Sequence, residues 1–342
     1  MLPGILQCYA TRMTIILSHI SALEFWLSPR KVQPKIVRAA IPEKGPSSHE
    51  RNRFLQRFAN QLGTPVHTLT KTPWPSNGPF HHHSCSLFAK GLPLAAACEG
   101  VLVCPVELAF VQVATHLPFP ELVRLGFELC GAYSVDRTAS GGFFQRKPLT
   151  TPQRIAQFAC GNASLRGSAK ARRALRYIAE NAASPAETRI AMSLTLPLAE
   201  GGLGLPKAQL NHSLPLGTYA RRATGRHYFV CDLFWPDCNV AVEYDSDAVR
   251  TGAQRIAADS ARRNALSYLN ISVITVTRAE YQNRDDFNRV ARIIAKHLHK
   301  RIRIRDVRFE QRQIHLRKAL AAQPTWENRR HAQPLRDHLL SH

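Results

Sequence analysis

The sequence predicts an α/β protein, a mixed sheet flanked by helices, with a separate N-terminal domain of mixed helices and strands. Three observations predict it. Residues 228–235 and 240–244 are runs rich in aromatic and β-branched residues, separated by the turn-like cluster Pro236, Asp237, Cys238 and Asn239. Residues 184–198 carry apolar side chains at helical spacing behind a helix-start signal. Residues 271–277, ISVITVT, read as a further strand after a helix-like stretch that carries Asp259, Arg262 and Leu266.

Along the chain, Ser18–Trp26 (SHISALEFW) reads as a capped helix bearing aromatics. Residues 33–79 are rich in Pro, Ser and Gly and read as loop with short strands. Val106–His116 and Pro120–Gly131 read as two helices joined by a Pro-containing turn. A boundary is expected near Leu149–Pro152, after the Ser/Gly-rich stretch Ser134–Gly142, dividing the chain into residues 1–150 and 151–342. Ala169–Tyr177 reads as a basic helix, facing either phosphate or solvent. His81, His82, His83 and Cys85 are tempting metal ligands, but consecutive residues of a strand point to opposite faces, so all four cannot reach one ion.

The helix expected over Ser184–Leu198 begins with Ser184 as N-cap, Pro185 at the first helical position and Glu187 at the third. Ile190, Ala191, Leu194 and Leu198 follow Glu187 at core-facing spacing, which puts Glu187 on the buried stripe. It either caps its helix only or joins a site with other acids.

Those acids lie in the two strands. With the turn centred on Asp237 and Cys238, Asp232 sits opposite Glu243, their Cβ atoms roughly 5 Å apart. Asp245 follows on the same face as Glu243, because side chains alternate. A register slip of one residue would send Asp232 to the other side. Acids gathered on half-buried strands need a partner, and a divalent cation is the simplest one. Carboxylates suit Mg²⁺ or Mn²⁺. Asp232 and Glu243 are expected as ligands, Glu187 as a ligand through water or an orienter, and Asp245 as a weaker candidate.

Composition narrows the partner. The 342-residue chain has a formal net charge of +22 and a pI near 10.3, which favours a polyanion, nucleic acid before membrane. Nine residues from Lys296 to Lys318 are Lys or Arg against Asp306 and Glu310, a net +7. Lys300, Arg301, Arg303, Arg305 and Arg308 are the expected phosphate contacts, and a solvated basic helix face is the competing use of this charge. Eight Cys without any C-x-x-C pair argue against a zinc ribbon and a disulfide framework, and reduced thiols point to the cytoplasm. Residues 1–27 lack the pattern of a targeting segment, and residues 91–117 carry Glu99, Glu107 and several Pro, unlike a membrane span.

SPAETRI (184–190), GGLGLP (201–206), LN (210–211), Asp232, EYDS (243–246), the D-x-x-R of Asp259 and Arg262, and ISVITVT occur in an order that resembles the PD-(D/E)XK nuclease superfamily. Within it, residues 184–299 are similar to restriction-endonuclease-like domains near the very-short-patch mismatch-repair endonucleases. The resemblance implies a restriction-endonuclease-like core and Mg²⁺-dependent endonuclease activity on DNA, in repair or in defence against foreign DNA. Its catalytic set maps onto Glu187, Asp232, Glu243 and Asp245. Two departures weaken it. Asp245 stands where the superfamily has Lys, a substitution common in this branch, and the branch's following His is replaced by Val249 or Arg250. Arg250 could stabilise phosphate charge but cannot exchange a proton. The alternative is a nuclease-fold protein without turnover that binds nucleic acid as a regulator. SHISALEFW, and VCPVELAFVQVA followed by an amphipathic helix, also resemble the N-terminal part of AbiEi-type abortive-infection antitoxins, which implies a DNA-binding helix-turn-helix; plain helical packing is the competing reading.

Overall fold

The computed structural model describes residues 15–29, 33–58, 65–76, 78–85, 91–98, 100–218, 221–222, 225–245, 266, 269–324 and 326. The fold is mixed α/β, with two main sheets and helices packed between and around them. Among the described residues no helix is long and apolar enough to cross a membrane.

The N-terminal half is built on a six-stranded sheet. Its strands are β1 (Ile15–Leu17), β2 (Ile36–Ala39), β3 (Val66–Thr70), β4 (Phe80–Ser84), β5 (Leu92–Cys98) and β6 (Val101–Val103), in the order β2-β5-β6-β1-β3-β4. β1 runs parallel to β6 and antiparallel to β3, and β4 runs parallel to β3. All three residues of β1 are buried, as expected of a central strand covered on both faces.

Ser18 takes the N-cap position of α1 (His19–Leu27), as the sequence predicts, but its side chain makes no capping bond. Residues 33–79 depart from the loop reading, because they contain the helix α2 (Ser48–Phe58). Ser47 and Glu50 start it reciprocally: Ser47 N donates to Glu50 Oε2 at 2.6 Å, and Glu50 N donates to Ser47 Oγ at 3.3 Å. This S-x-x-E box is a helix-start signal outweighed in the sequence by the neighbouring Pro42, Gly45 and Pro46.

The two helices expected after residue 105 are α3 (Val106–Val113) and α4 (Phe119–Cys130). Every residue of α3 is buried, and so is α4 beyond Glu121. They pack as core helices, with no exposed face of the kind a recognition helix needs to enter a DNA groove. A two-stranded sheet, β7 (Tyr133–Val135) and β8 (Phe143–Gln145), follows. Next come α5 (Pro152–Gly161) and the basic helix α6 (Ser168–Leu175). In α6, Lys170 donates to Leu117 O, and Arg173 pairs with Glu200 at 2.8 Å while covering the Phe119 ring.

The C-terminal half carries α7 (Pro185–Thr195) and a four-stranded sheet. The strands are β9 (Gln209–Pro215), β10 (Tyr228–Trp235), β11 (Val240–Asp245) and β12 (Ser272–Thr277). β9, β10 and β11 are antiparallel, and β12 lies parallel to β11. Three helices follow: α8 (Arg278–Gln282), α9 (Arg284–His297) and α10 (Phe309–Ala321). α7 stops three residues short of Leu198 because Pro197 forces Leu196 into extended backbone, with ψ 148°. Gly201 then turns with φ 87°, and a Cβ there would stand 2.3 Å from the Arg312 carbonyl. The chain therefore needs glycine at this crossing with α10.

One hydrophobic core runs from Ile15 to Trp326, across the expected boundary at residues 149–152. That segment is tied on both sides. Leu149 N donates to Leu129 O at 3.0 Å, and Thr150 Oγ1 donates to Glu107 Oε1 at 2.6 Å. The buried carboxylate of Glu128 on α4 accepts from Ser134 Oγ, Val135 N and Trp326 Nε1, each at 3.0 Å. Arg124, one turn earlier, donates to the carbonyls of Ala319 and Ala322 at 3.1 and 2.8 Å, fixing the end of α10.

Trp326 is fully buried and supplies one of the three donors on Glu128. Trp326→Ala is predicted to cost about 3–5 kcal/mol, from the cavity and the lost bond together. Urea denaturation checks this; a loss below about 1 kcal/mol would show that residues beyond α10 do not hold the core.

Candidate functional site

The β10–β11 register is the one the sequence predicts. Trp235 pairs with Val240, Phe234 with Ala241 and Leu233 with Val242; the ladder ends there, one step short of Asp232 and Glu243. The turn is a single 3-10 turn, Pro236–Cys238, closed by Asn239 in the left-handed region at φ 51°. Asn is among the few residues that adopt this conformation cheaply. At the far end of the ladder, Asp232 Oδ2 accepts the Tyr244 amide at 2.8 Å. Val242 and Tyr244 pack into the main core, so Glu243 and Asp245 leave β11 on the other face.

Glu187 is held tightly. Ser184 Oγ accepts the Glu187 amide at 3.2 Å, and the Glu187 carboxylate accepts from Ser184 Oγ at 2.9 Å and from Ala183 N at 2.8 Å. This is a capping box shifted by one residue, since the back-bond goes to Ala183 and not to the N-cap amide. A third donor, Asn211 Nδ2, reaches Glu187 Oε2 at 2.5 Å, and the same amide donates to Asn181 O at 2.8 Å. Asn211 interrupts the pairing of β9 with a left-handed φ of 47°, opposite Asp232 in the register. Burial pushes the Glu187 carboxyl above its ordinary pKa; the bonds from Ala183, Asn211 and Ser184 oppose that shift, and the charge of Asp232 adds to it.

The structure thus brings Glu187 and Asp232 within electrostatic reach, while the β10–β11 pairing stops one step before Glu243. It does not gather these acids into a tight trio. Among the described residues, the three whose ligand atoms lie within 4.8 Å of one another are His19, His67 and His83. Burial, with the neighbouring imidazoles, lowers the pKa of His19 to about 2 and that of His83 to about 4, so both are neutral near pH 7. Sequence reasoning found His83 in its run of three but missed His19 and His67. The signal available was only their recurrence near the ends of two apolar strand-like runs.

A cavity of about 760 Å³ opens at the start of α7. Ser184, Arg189, Tyr244, Arg278, Arg317 and Lys318 are among its lining residues. Arg317 lies over the Tyr281 ring and donates to the Tyr281 and Gln282 carbonyls, while its Nη1 is buried with no hydrogen-bond partner. The predicted phosphate contacts Lys300, Arg301, Arg303, Arg305 and Arg308 are all exposed, and the first four lie in the irregular stretch 300–306 between α9 and α10. Asp306 draws Arg312 to 2.7 Å and Arg308 to 3.9 Å. Arg250, Val249, Asp259 and Arg262 lie outside the described residues.

No protein-family model matches the chain, and no curated protein or solved structure matches it either.

A carboxyl whose folded pKa is raised stabilises the fold below its unfolded value, near 4.5 here, and loses that contribution as pH rises through the folded value. The stability of wild type relative to Glu187→Gln is therefore predicted to fall from pH 4.5 towards neutrality. Denaturation midpoints of both proteins across that range test it, and a flat difference would remove the burial of Glu187 as a factor.

Proposed function

We propose that the chain is a metal-dependent phosphodiesterase acting on nucleic acid, with DNA as the first substrate to test. The observation that carries this reading is the placement of two kinds of charge around one element. The acids Glu187 and Asp232 meet at α7, and the basic cavity with Arg189, Arg278 and Lys318 opens at the same helix end.

Mg²⁺ or Mn²⁺, when bound, would neutralise phosphate oxygens and lower the pKa of a coordinated water. Mg²⁺ commonly takes only one or two protein carboxylates and completes its shell with water and substrate phosphate. A trio of acids is thus not required, and Asp232 with Glu243 supply enough hard oxygen. Glu187, occupied by three donors, orients its neighbours or reaches an ion through water. The cavity cations and the buried Nη1 of Arg317 favour an anionic occupant such as a backbone phosphate. Arg301, Arg303 and Arg305 are exposed and recur at every second residue of a stretch without helix or strand, a run of cations available to successive phosphates.

Asp232→Asn and Glu243→Gln are predicted to abolish Mg²⁺-dependent nicking of plasmid DNA. DNA affinity in low-metal buffer should stay intact or rise, since each change removes one negative charge at nearly constant volume. Asn at 232 still offers an oxygen to the Tyr244 amide, so folding is preserved. Mg²⁺ should raise the melting temperature of wild type above that of either variant. If wild type and Glu243→Gln melt together with and without Mg²⁺ and neither cuts, the chain is a nucleic-acid-binding regulator.

The basic segment is tested by substitution, because α10 is packed into the core and truncation would remove it. Replacing Lys300, Arg301, Arg303 and Arg305 by Ser is predicted to flatten the slope of log affinity against log salt by roughly 0.9 per lost phosphate contact. An unchanged slope assigns the segment to solubility alone.

A further inference from the structure

We propose that His19, His67 and His83 form a binding site for a borderline transition-metal ion, Zn²⁺ foremost, with one coordination position open to an adjoining cavity. This site belongs to the N-terminal half and stands whether or not the nuclease reading holds.

Three separate elements deliver the ligands. β1 ends at Leu17, and Ser18 N donates to His67 O at 2.9 Å, which fixes the start of α1 against β3. In the parallel β3–β4 pair, His67 lies beside His81 and Leu69 beside His83, so alternation puts His67 and His83 on one face. His67 Nδ1 and His83 Nε2 are 2.8 Å apart, and the His83 ring stacks on His19 with centroids 3.6 Å apart. All three offer a nitrogen within 4.8 Å of the others. A tetrahedral zinc with bonds of 2.0–2.1 Å holds its ligands about 3.3 Å apart, so the 2.8 Å His67–His83 contact would open slightly, an adjustment that ring rotation can supply.

A merely structural role accounts poorly for this cluster. Three imidazoles packed face to face bring polar nitrogens into a partly buried place where no carboxylate is among the ligand atoms grouped there. His19 also occupies the left-handed region at φ 49°, a conformation that Asn or Gly would take more cheaply. Strain of this kind is kept where a particular side chain is needed. The outer contacts suit a ligand as well: His19 Nδ1 lies 3.1 Å from Ser18 Oγ, and His19 N donates to Gln112 Oε1 at 3.1 Å.

Nitrogen donors select the class of ion. Imidazole favours Zn²⁺, Cu²⁺ and Ni²⁺ over the hard Mg²⁺. Structural zinc sites close with four protein ligands, whereas three histidines with an open position hold a water or an anion. The open side here is a cavity of about 750 Å³, whose lining includes His19, His83, Gln112, His116 and Arg166. His82 also lines this cavity, but strand alternation turns its ring from His83, its Nδ1 lies 2.6 Å from Thr68 Oγ1 and its ring stacks on Phe80; it is outside the group of ligand atoms and serves as the control.

The experiment is titration of the chelator-treated full chain with ZnCl₂ by calorimetry, in excess Mg²⁺, with Co²⁺ absorption reporting coordination geometry. One Zn²⁺ per chain and low-symmetry Co²⁺ bands are expected. His67→Gln and His83→Gln should each weaken binding on the order of 100-fold or more, since losing a ligand exceeds the loss of an outer contact. His82→Gln and Glu243→Gln should leave it unchanged. Circular dichroism confirms folding of each variant, and if one fails to fold the other decides. Absence of Zn²⁺ binding by wild type, or equal binding by wild type and the folded ligand variants, overturns the proposal.

Discussion

The buried carboxylate of Glu128 is the constraint on which the arrangement of the molecule depends. A charge this deep is tolerable only because Ser134, Val135 and Trp326 each give it a donor. Those donors come from β7 and from the segment beyond α10, so one group joins the N-terminal half to the far end of the chain. Arg124 repeats the logic from the same helix by holding the last carbonyls of α10. The basic cavity lies between these fixed parts, with α4, α7, α8 and α10 each contributing to its wall. Of its cations, Arg124 and Arg317 are held by the core, while Arg278 and Lys318 are exposed at its mouth.

Legibility in the sequence followed the range of the forces involved. The β10–β11 register could be read because the turn residues and the alternating strands are close in sequence, and Asn239 closes the turn as its type allows. The start of α7 could be read for the same reason, since Ser184, Pro185 and Glu187 act within one turn. Its end was overextended where apolar spacing competed with Pro197, and the proline won. α2 was missed although Ser47 and Glu50 announce it, because the Pro and Gly residues before it gave the stronger local impression. The six-stranded order β2-β5-β6-β1-β3-β4 had no short-range signal at all.

The two candidate sites show the same contrast. Asp232 and Glu243 are eleven residues apart and one tight turn joins the strands that carry them, so the pairing that leads up to them is legible in the sequence. His19, His67 and His83 come from the end of one strand and the faces of two others. Alternation in the strand correctly separates His82 from His83, but only tertiary pairing brings His67 and His19 to the latter. The donor chemistry differs too, with oxygen in one place and nitrogen in the other. If both proposals hold, the two places would take different cations, since oxygen donors favour hard ions and imidazoles borderline ones.

The acids also divide among themselves by what the backbone already asks of them. Glu187 answers three donors from Ala183, Ser184 and Asn211, and burial raises its pKa; such a carboxylate is a structural latch that senses the charge of Asp232. Asp232 accepts the Tyr244 amide where the β10–β11 ladder ends, a task that uses one of about four lone-pair sites on a carboxylate. Ending a ladder and holding an ion are thus compatible in Asp232. They are mutually supportive as well, because the hydrogen bond fixes the direction of the carboxylate before any ion arrives. Glu243 is half-exposed on β11, where the proposed reading would have it meet an ion from the solvent side. Under the proposed phosphodiesterase reading, cleavage would rest on Asp232 and Glu243, with Glu187 acting on Asp232 through its charge.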